Sequence, residues 1–254
     1  MSPAFKIDIP NLYDAKKVLA IQPHYDDNDI PAGGTIAAMA QAGIEIVYLT
    51  CTDDQMGVID ENWSFAEAEA RLRKDQAEAA KILGVKRQYW LGYPDAGEYN
   101  YFELRRNIMR VMRIENPDCV LTVDPWLAYE SHTDHIITGK AAAEAALLCD
   151  LKRIKTDPEV DAAYEPHEIK CVAFYGSQYP NTIFDISSTL EKKLQAVRCY
   201  HAQFGEEDLE RMAAYVEWRA SQAADGQPFK YGEKWKVVTP RLLHGFPETW
   251  RLWV

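Results

Sequence analysis

Two short segments carry the side chains with which this chain could do chemistry. His132-Thr133-Asp134-His135 sets two imidazoles three residues apart at the start of a helix-like stretch, and Pro23-His24-Tyr25-Asp26-Asp27 follows a short apolar run. Together they offer two histidines and one carboxylate to a metal ion, with a third histidine and a second carboxylate left for proton transfer. Three nitrogen and oxygen ligands with an open position for water make a catalytic zinc site. His132 and His135 lie about one 3.6-residue turn apart, so they share a helix face and enter a crevice together. The spare carboxylate beside the activated water would be the general base. The spare histidine would stabilise an oxyanion or protonate a leaving amine.

Each segment alone has a plainer explanation. An Asp-Asp pair commonly makes a turn, Asp29 could cap the helix that follows, and Ser131 could cap the next one with His132 a bystander. The elements around them decide the matter. Apolar runs at 18–22, 46–51, 89–91 and 119–123 alternate with helical patterns at 31–43, 64–83, 102–115 and 132–149. This alternation predicts a Rossmann-like, doubly wound α/β fold: a mostly parallel sheet with helices on both faces. Ligands in such sheets bind beyond the carboxyl ends of the strands where the strand order reverses. The two segments follow the first and fourth strands, which are neighbours at that reversal, so the fold itself brings them into one crevice.

After Asp150 the pattern weakens. Residues 152–170 are polar and read as an excursion; strands are expected at 171–175 and 182–186, helices at 189–204 and 206–224, and extended chain at 234–243. The expected organisation is one domain over 1–254, with a core at roughly 16–150 completed by 170–254.

The 254 residues are 47% apolar and 26% charged with a net charge of −11, a globular profile whose acidity disfavours nucleic-acid or anionic-membrane partners. No run is long and apolar enough for a bilayer, and residues 1–10 do not read as a secretory leader. The five cysteines are widely spaced; Cys51, Cys119 and Cys171 lie in apolar runs and read as buried free thiols, which suits a reducing cytoplasm. Trp126 and Tyr129, between the fourth strand and His132, are the aromatics best placed to touch a sugar. Arg71 and Arg73 read as a solvated helix face.

The two signatures resemble those of the PIG-L, or LmbE-like, family, zinc enzymes that remove acetyl groups from N-acetylglucosamine derivatives. Weaker matches are Ala32-Gly33-Gly34-Thr35, Thr52-Asp53-Asp54, Leu83-Gly84-Val85 and Leu91-Gly92-Tyr93-Pro94-Asp95. Asp124-Pro125-Trp126, Tyr129-Glu130-Ser131-His132 and Tyr231-Gly232-Glu233 are most similar to the diacetylchitobiose deacetylase branch. The resemblance implies an LmbE-like three-layer sandwich, with His24, Asp27 and His135 as ligands of one Zn2+ and Asp26 as base. It also implies His132 on the oxyanion side, oriented by Asp134. It is the resemblance that divides the roles of Asp26 and Asp27. Tyr25 and Thr133 replace the prolines of both signatures, and Asn28 stands where glutamate is common. The family's His-x-Ser-Gln element reads Tyr200-His201-Ala202-Gln203, so His201 is given no role. The implied function is hydrolysis of the acetamide of N-acetylglucosamine or diacetylchitobiose, in a chain that could self-associate. The alternatives are deacetylation of another N-acetylglucosaminyl conjugate, such as a thiol-cofactor precursor or a glycoside, and a non-catalytic sugar-binding protein of the same fold.

Overall fold

The computed structural model describes residues 7–252. Most of the segment read for a leader, and the two ends of the expected domain, lie outside them. Four strands and their helices alternate through the first half: β1 (Lys17–Gln22), α1 (Asp29–Gln41), β2 (Glu45–Thr52), α2 (Phe65–Leu83), β3 (Arg87–Tyr93), α3 (Tyr101–Glu115), β4 (Cys119–Val123) and α4 (Thr133–Leu148). The second half supplies α5 (Pro158–Ala163), β5 (Cys171–Tyr175), β6 (Thr182–Asp185), α6 (Leu190–Val197), α7 (Glu206–Ala223) and β7 (Gly232–Val238). Among the described residues no helix is long and apolar enough to cross a membrane.

The sheet order is β3-β2-β1-β4-β5-β7-β6. β1 to β5 run parallel, and β7 enters antiparallel between β5 and β6. β1 pairs with both β2 and β4, so the order reverses where the doubly wound reading put it. Side chains alternate across the sheet. Val18, Ala20, Ile46, Tyr48 and Leu121 pack beneath α1 and α2, while Leu19, Ile21, Val47, Leu49 and Val120 pack beneath α3 and α4.

Local signals set the helix ends. Ser64 and Glu67 form a reciprocal capping box at the start of α2, and Gly84 ends it in the left-handed region at φ +88°. α1 begins at Asp29, ahead of Pro31, and Asp29 does not cap it. Its carboxylate instead accepts the hydroxyls of Tyr48 and Tyr200 inside the core. Ser131 is likewise no cap, because the N-cap of α4 is His132.

Three further expectations give way. α6 ends at Val197 rather than near 204. Beyond it the backbone turns so that Tyr200 reaches the carbonyl of Tyr25 at 3.0 Å and the Ala202 amide reaches Asp75 at 2.6 Å. The extended stretch after 234 stops at Val238 and gives a single turn over Pro240–Leu243. Cys119 and Cys171 are not free thiols: they face each other in register across β4 and β5, with Cα atoms 4.8 Å apart, and are joined as a disulfide. Cys51, Cys149 and Cys199 remain free.

Helix α4 lies tight against the loop that leaves β4. A Cβ on Gly139 would sit 2.7 Å from the carbonyl oxygen of Val123 and 2.9 Å from Pro125 Cβ, both backbone-anchored neighbours. Gly139→Ala is therefore expected to destabilise the chain by about 1–3 kcal/mol through overpacking. An unchanged urea midpoint would contradict this close approach.

Candidate metal centre and catalytic cleft

Both histidine segments leave the carboxyl ends of adjacent strands, 23–28 from β1 and 124–132 from β4, and their side chains meet. The rings of His24 and His132 have centroids 4.6 Å apart, and His135 lies 5.2 Å from each of them. Nδ1 of His24 is 3.0 Å from Asp27 Oδ2, and Nε2 of His135 is 3.3 Å from Asp27 Oδ1. One ligand atom from each of His24, Asp27 and His135 lies within 4.8 Å of the others. A second group, His24, Asp95, His132 and Asp134, meets the same spacing. Its carboxylates are committed elsewhere. Asp134 accepts the Ala96 amide at 2.8 Å and the Tyr99 hydroxyl at 2.7 Å, and Asp95 accepts the Met56 amide at 3.0 Å. Asp27 accepts only from His24 and His135 among the described contacts, so the first group is the better cradle for an ion.

The electrostatics call for a cation. Burial opposes a charge on His24, yet hydrogen bonds to Asp134, Asp27 and Asp95 outweigh it and hold the imidazole far above its ordinary pKa. Burial also works against Asp27 and Asp134, but their contacts to His24 and, for Asp134, to Ala96 and Tyr99, keep both ionised well into acid. Asp26 goes the other way. Burial first, then the charges of Asp27 and Asp54, push it well above an ordinary carboxylate. Asp54 is itself pushed up to about 7, chiefly by burial against the pull of His24 and the Tyr25 amide. In metal proteins a ligating histidine commonly hands its second nitrogen to a carboxylate, as His24 does here to Asp95 at 3.2 Å and Asp134 at 3.5 Å.

The peptide joining Tyr25 to Asp26 is held from below. Its carbonyl accepts Gln22 Nε2 at 3.2 Å, Gln76 Nε2 at 3.1 Å and Tyr200 Oη at 3.0 Å, while the Tyr25 amide donates to Asp54 at 3.0 Å. Tyr25, in the place of a family proline, is buried, and these bonds supply the fixation that a proline ring would otherwise give. Above the loop opens a cleft of about 250 Å3 lined by His24, Asp26, Asp54, Met56, Asp95 and His132, with Gly57, Ala96 and Gln203.

Every expected ligand and proton-transfer residue is thus gathered, though Asp134 lies closer to His24 than to His132, whose Nδ1 is 4.0 Å away. Trp126 and Tyr129 are not among the cleft residues. Trp126 packs edge-on against Phe174 in a separate apolar pocket of about 350 Å3, and Tyr129 is fully exposed with a left-handed backbone at φ +69°. Arg73 is less solvated than expected, lying over the Trp90 ring and paired with Glu69. Asp54 and Asp95 lie in two of the weaker sequence matches, where they carry no assigned role, and Tyr99 lies outside every match. The first two follow β2 and β3, at the same carboxyl edge that located the histidines, which was the available signal.

The sequence model of the PIG-L family, described as GlcNAc-PI de-N-acetylase, matches residues 19–146, which include both signatures. The diacetylchitobiose deacetylase of Thermococcus kodakarensis is 38% identical over 243 residues, covering 96% of this chain and 90% of that protein. The chain belongs to the PIG-L family. Among solved structures, the N,N'-diacetylchitobiose deacetylase of Pyrococcus horikoshii, bound to an inhibitor, superposes with a TM-score of 0.87 at 37% identity, over 94% of this PIG-L chain and 90% of that one. A conserved protein of Thermus thermophilus superposes with a TM-score of 0.72 at 25% identity, over 88% and 94% of the two chains. The fold is thus the LmbE-like α/β sandwich. Tyr200 and Gln203 lie outside the stretch matched by the PIG-L sequence model, yet they reach the loop and the cleft.

Proposed function

We propose that this PIG-L protein hydrolyses the acetamide of an N-acetylglucosamine-type sugar, with Zn2+ held by His24, Asp27 and His135. The carrying observation is the convergence of those three ligand atoms within 4.8 Å beside a buried Asp26 at the floor of an open cleft. The names of its relatives, diacetylchitobiose deacetylases, support the substrate class. The donor set of two imidazoles and one carboxylate suits zinc, and the excess of carboxylates around His24 suits any divalent cation.

A divalent ion bound there supplies Lewis acidity to a carbonyl and lowers the pKa of water. Asp26 takes a proton from the attacking water as the new C–O bond forms at the acetamide carbon. His132, across from it, stabilises the oxygen that gains charge and delivers a proton to the nitrogen as the C–N bond breaks. Asp134, anchored by Ala96 and Tyr99, limits where the two imidazoles beside it can go. The products are acetate and a free amino sugar. Residues 1–254 act as one deacetylase domain on a small, neutral substrate, in keeping with the net charge of −11.

Acetate release from N-acetylglucosamine, diacetylchitobiose and N-acetylglucosaminyl conjugates tests this directly. Zinc-loaded protein is expected to turn over at least one of them, to stop after chelation and to recover when zinc is restored. Silence of the loaded protein on the whole panel would overturn the proposal and favour a sugar-binding role.

A further inference from the structure

Each imidazole of the ligand trio turns one nitrogen toward Asp27, and the other nitrogen of each meets a different carboxylate. For His24 the outer partners are Asp95 and Asp134, as described. For His135 the outer partner is Glu130, whose Oε2 stands 3.5 Å from Nδ1 while Nε2 faces Asp27. The other oxygen of Glu130, Oε1, accepts the backbone N–H of His132 at 2.8 Å. One half-buried carboxylate therefore touches both histidines of the second signature, the ring of one and the backbone of the other.

The loop is shaped to deliver it. Asp124 accepts the Trp126 amide at 2.9 Å, the Leu127 amide returns to the Asp124 carbonyl at 3.3 Å, and the Glu130 amide returns to the Leu127 carbonyl at 3.2 Å. Tyr129 then takes a left-handed backbone and throws its own side chain fully into solvent, so that the next residue turns inward. A non-glycine residue held at positive φ costs free energy and persists only where its surroundings fix it.

We propose that Glu130 is the positioning residue of the metal centre on the α4 side: it holds the proton on Nδ1 of His135, leaving the Nε2 lone pair for the cation. This rests on the ligand set proposed above. A carboxylate behind a ligating imidazole fixes its tautomer and orientation and raises its basicity, and losing such a partner weakens metal affinity about 10- to 100-fold. Glu130 cannot leave its position without also releasing the His132 amide, so it ties the ligand and the oxyanion-side histidine into one unit.

The test is zinc affinity, measured by competition with a chromophoric chelator on metal-free wild type, Glu130→Gln, Glu130→Ala and His135→Ala. Glu130→Gln keeps an acceptor for the His132 amide, so a merely structural residue would leave its zinc affinity unchanged. The expected result is a dissociation constant about 10- to 100-fold higher for Glu130→Gln, at least as high for Glu130→Ala, and higher still for His135→Ala. The thermal midpoint of metal-free Glu130→Gln is expected to match that of wild type. Glu130→Gln within twofold of wild type, alongside a weakened His135→Ala, would overturn the role of Glu130 alone. Wild type and His135→Ala binding zinc equally would overturn the ligand set, and this inference with it.

Discussion

Replacing Asp26 by asparagine is expected to lower acetate release roughly 100- to 10,000-fold while leaving the bound metal in place. The asymmetry follows from where the two neighbouring aspartates point. Asp27 is wrapped by His24 and His135, whose ligand atoms converge with its own, whereas Asp26 is absent from that group and faces the cleft. Burial and the charges of Asp27 and Asp54 raise the proton affinity of Asp26, which makes it a better acceptor from water than an exposed carboxylate. Asparagine has the same shape and cannot take that proton. The substitution also spares the start of α1, because it is the backbone carbonyl of Asp26 that accepts the amides of Asp29 and Ile30. Acetate release together with metal content by atomic absorption checks the claim. Turnover within tenfold of wild type would remove Asp26 as the base, and loss of the metal would move it into the ligand set.

Topology, more than motif, locates this site. Two histidine segments far apart in the chain meet because β1 and β4 are neighbours, and that neighbourhood is a property of any sheet wound in this order. The alternation of β-branched runs with capped helices was enough to foresee it. What the sequence could not carry were contacts that depend on register or on remote partners. The Cys119–Cys171 bond needs β4 and β5 aligned to the residue, which periodicity does not specify. Residues 198–204 have helix-compatible composition, and they leave the helix because hydrogen bonds from Tyr200 and Ala202 to distant partners outweigh local propensity. β7 slips antiparallel between β5 and β6, an order that no run of apolar residues announces.

The same distinction explains the site residues to which the sequence assigns no role. His24, Asp26, Asp27, His132 and His135 stand out because types that bind metals occur close together in sequence. Asp54 and Asp95 occur in weaker matches that assign them no role, and they join the cleft only when β2 and β3 deliver them to the same edge. Trp126 and Tyr129 illustrate the converse. Nearness to His132 along the chain favoured them, but the turn at Tyr129 and the packing of Trp126 on Phe174 carry both away from the cleft. Sequence proximity predicts spatial proximity on a helix face or a strand, and fails on a loop whose backbone changes direction at each residue.

Metal uptake by the metal-free chain is expected to expel at least one proton near neutral pH. His24 supplies it. Its neighbours Asp134, Asp27 and Asp95 outweigh burial and hold its pKa far above that of a free imidazole, so at pH 7 the ring is an imidazolium. A ligating imidazole must be neutral, and the cation therefore takes the place of that proton. Asp27 contributes none, because its contacts to His24 and His135 keep it ionised despite burial. Asp26 has its proton affinity raised by burial and by the charges of Asp27 and Asp54, and a cation at the adjacent group favours its ionised form. The sign is fixed by these directions: protons compete with the metal, so affinity tightens by about tenfold per pH unit for each proton released as pH rises from roughly 6 to 8. Calorimetry in two buffers of different ionisation enthalpy reads the number released, and a heat of binding identical in both would show that no proton leaves. That outcome would mean His24 is already neutral in the metal-free chain, and that the surrounding carboxylates do not act on it as a waiting charge.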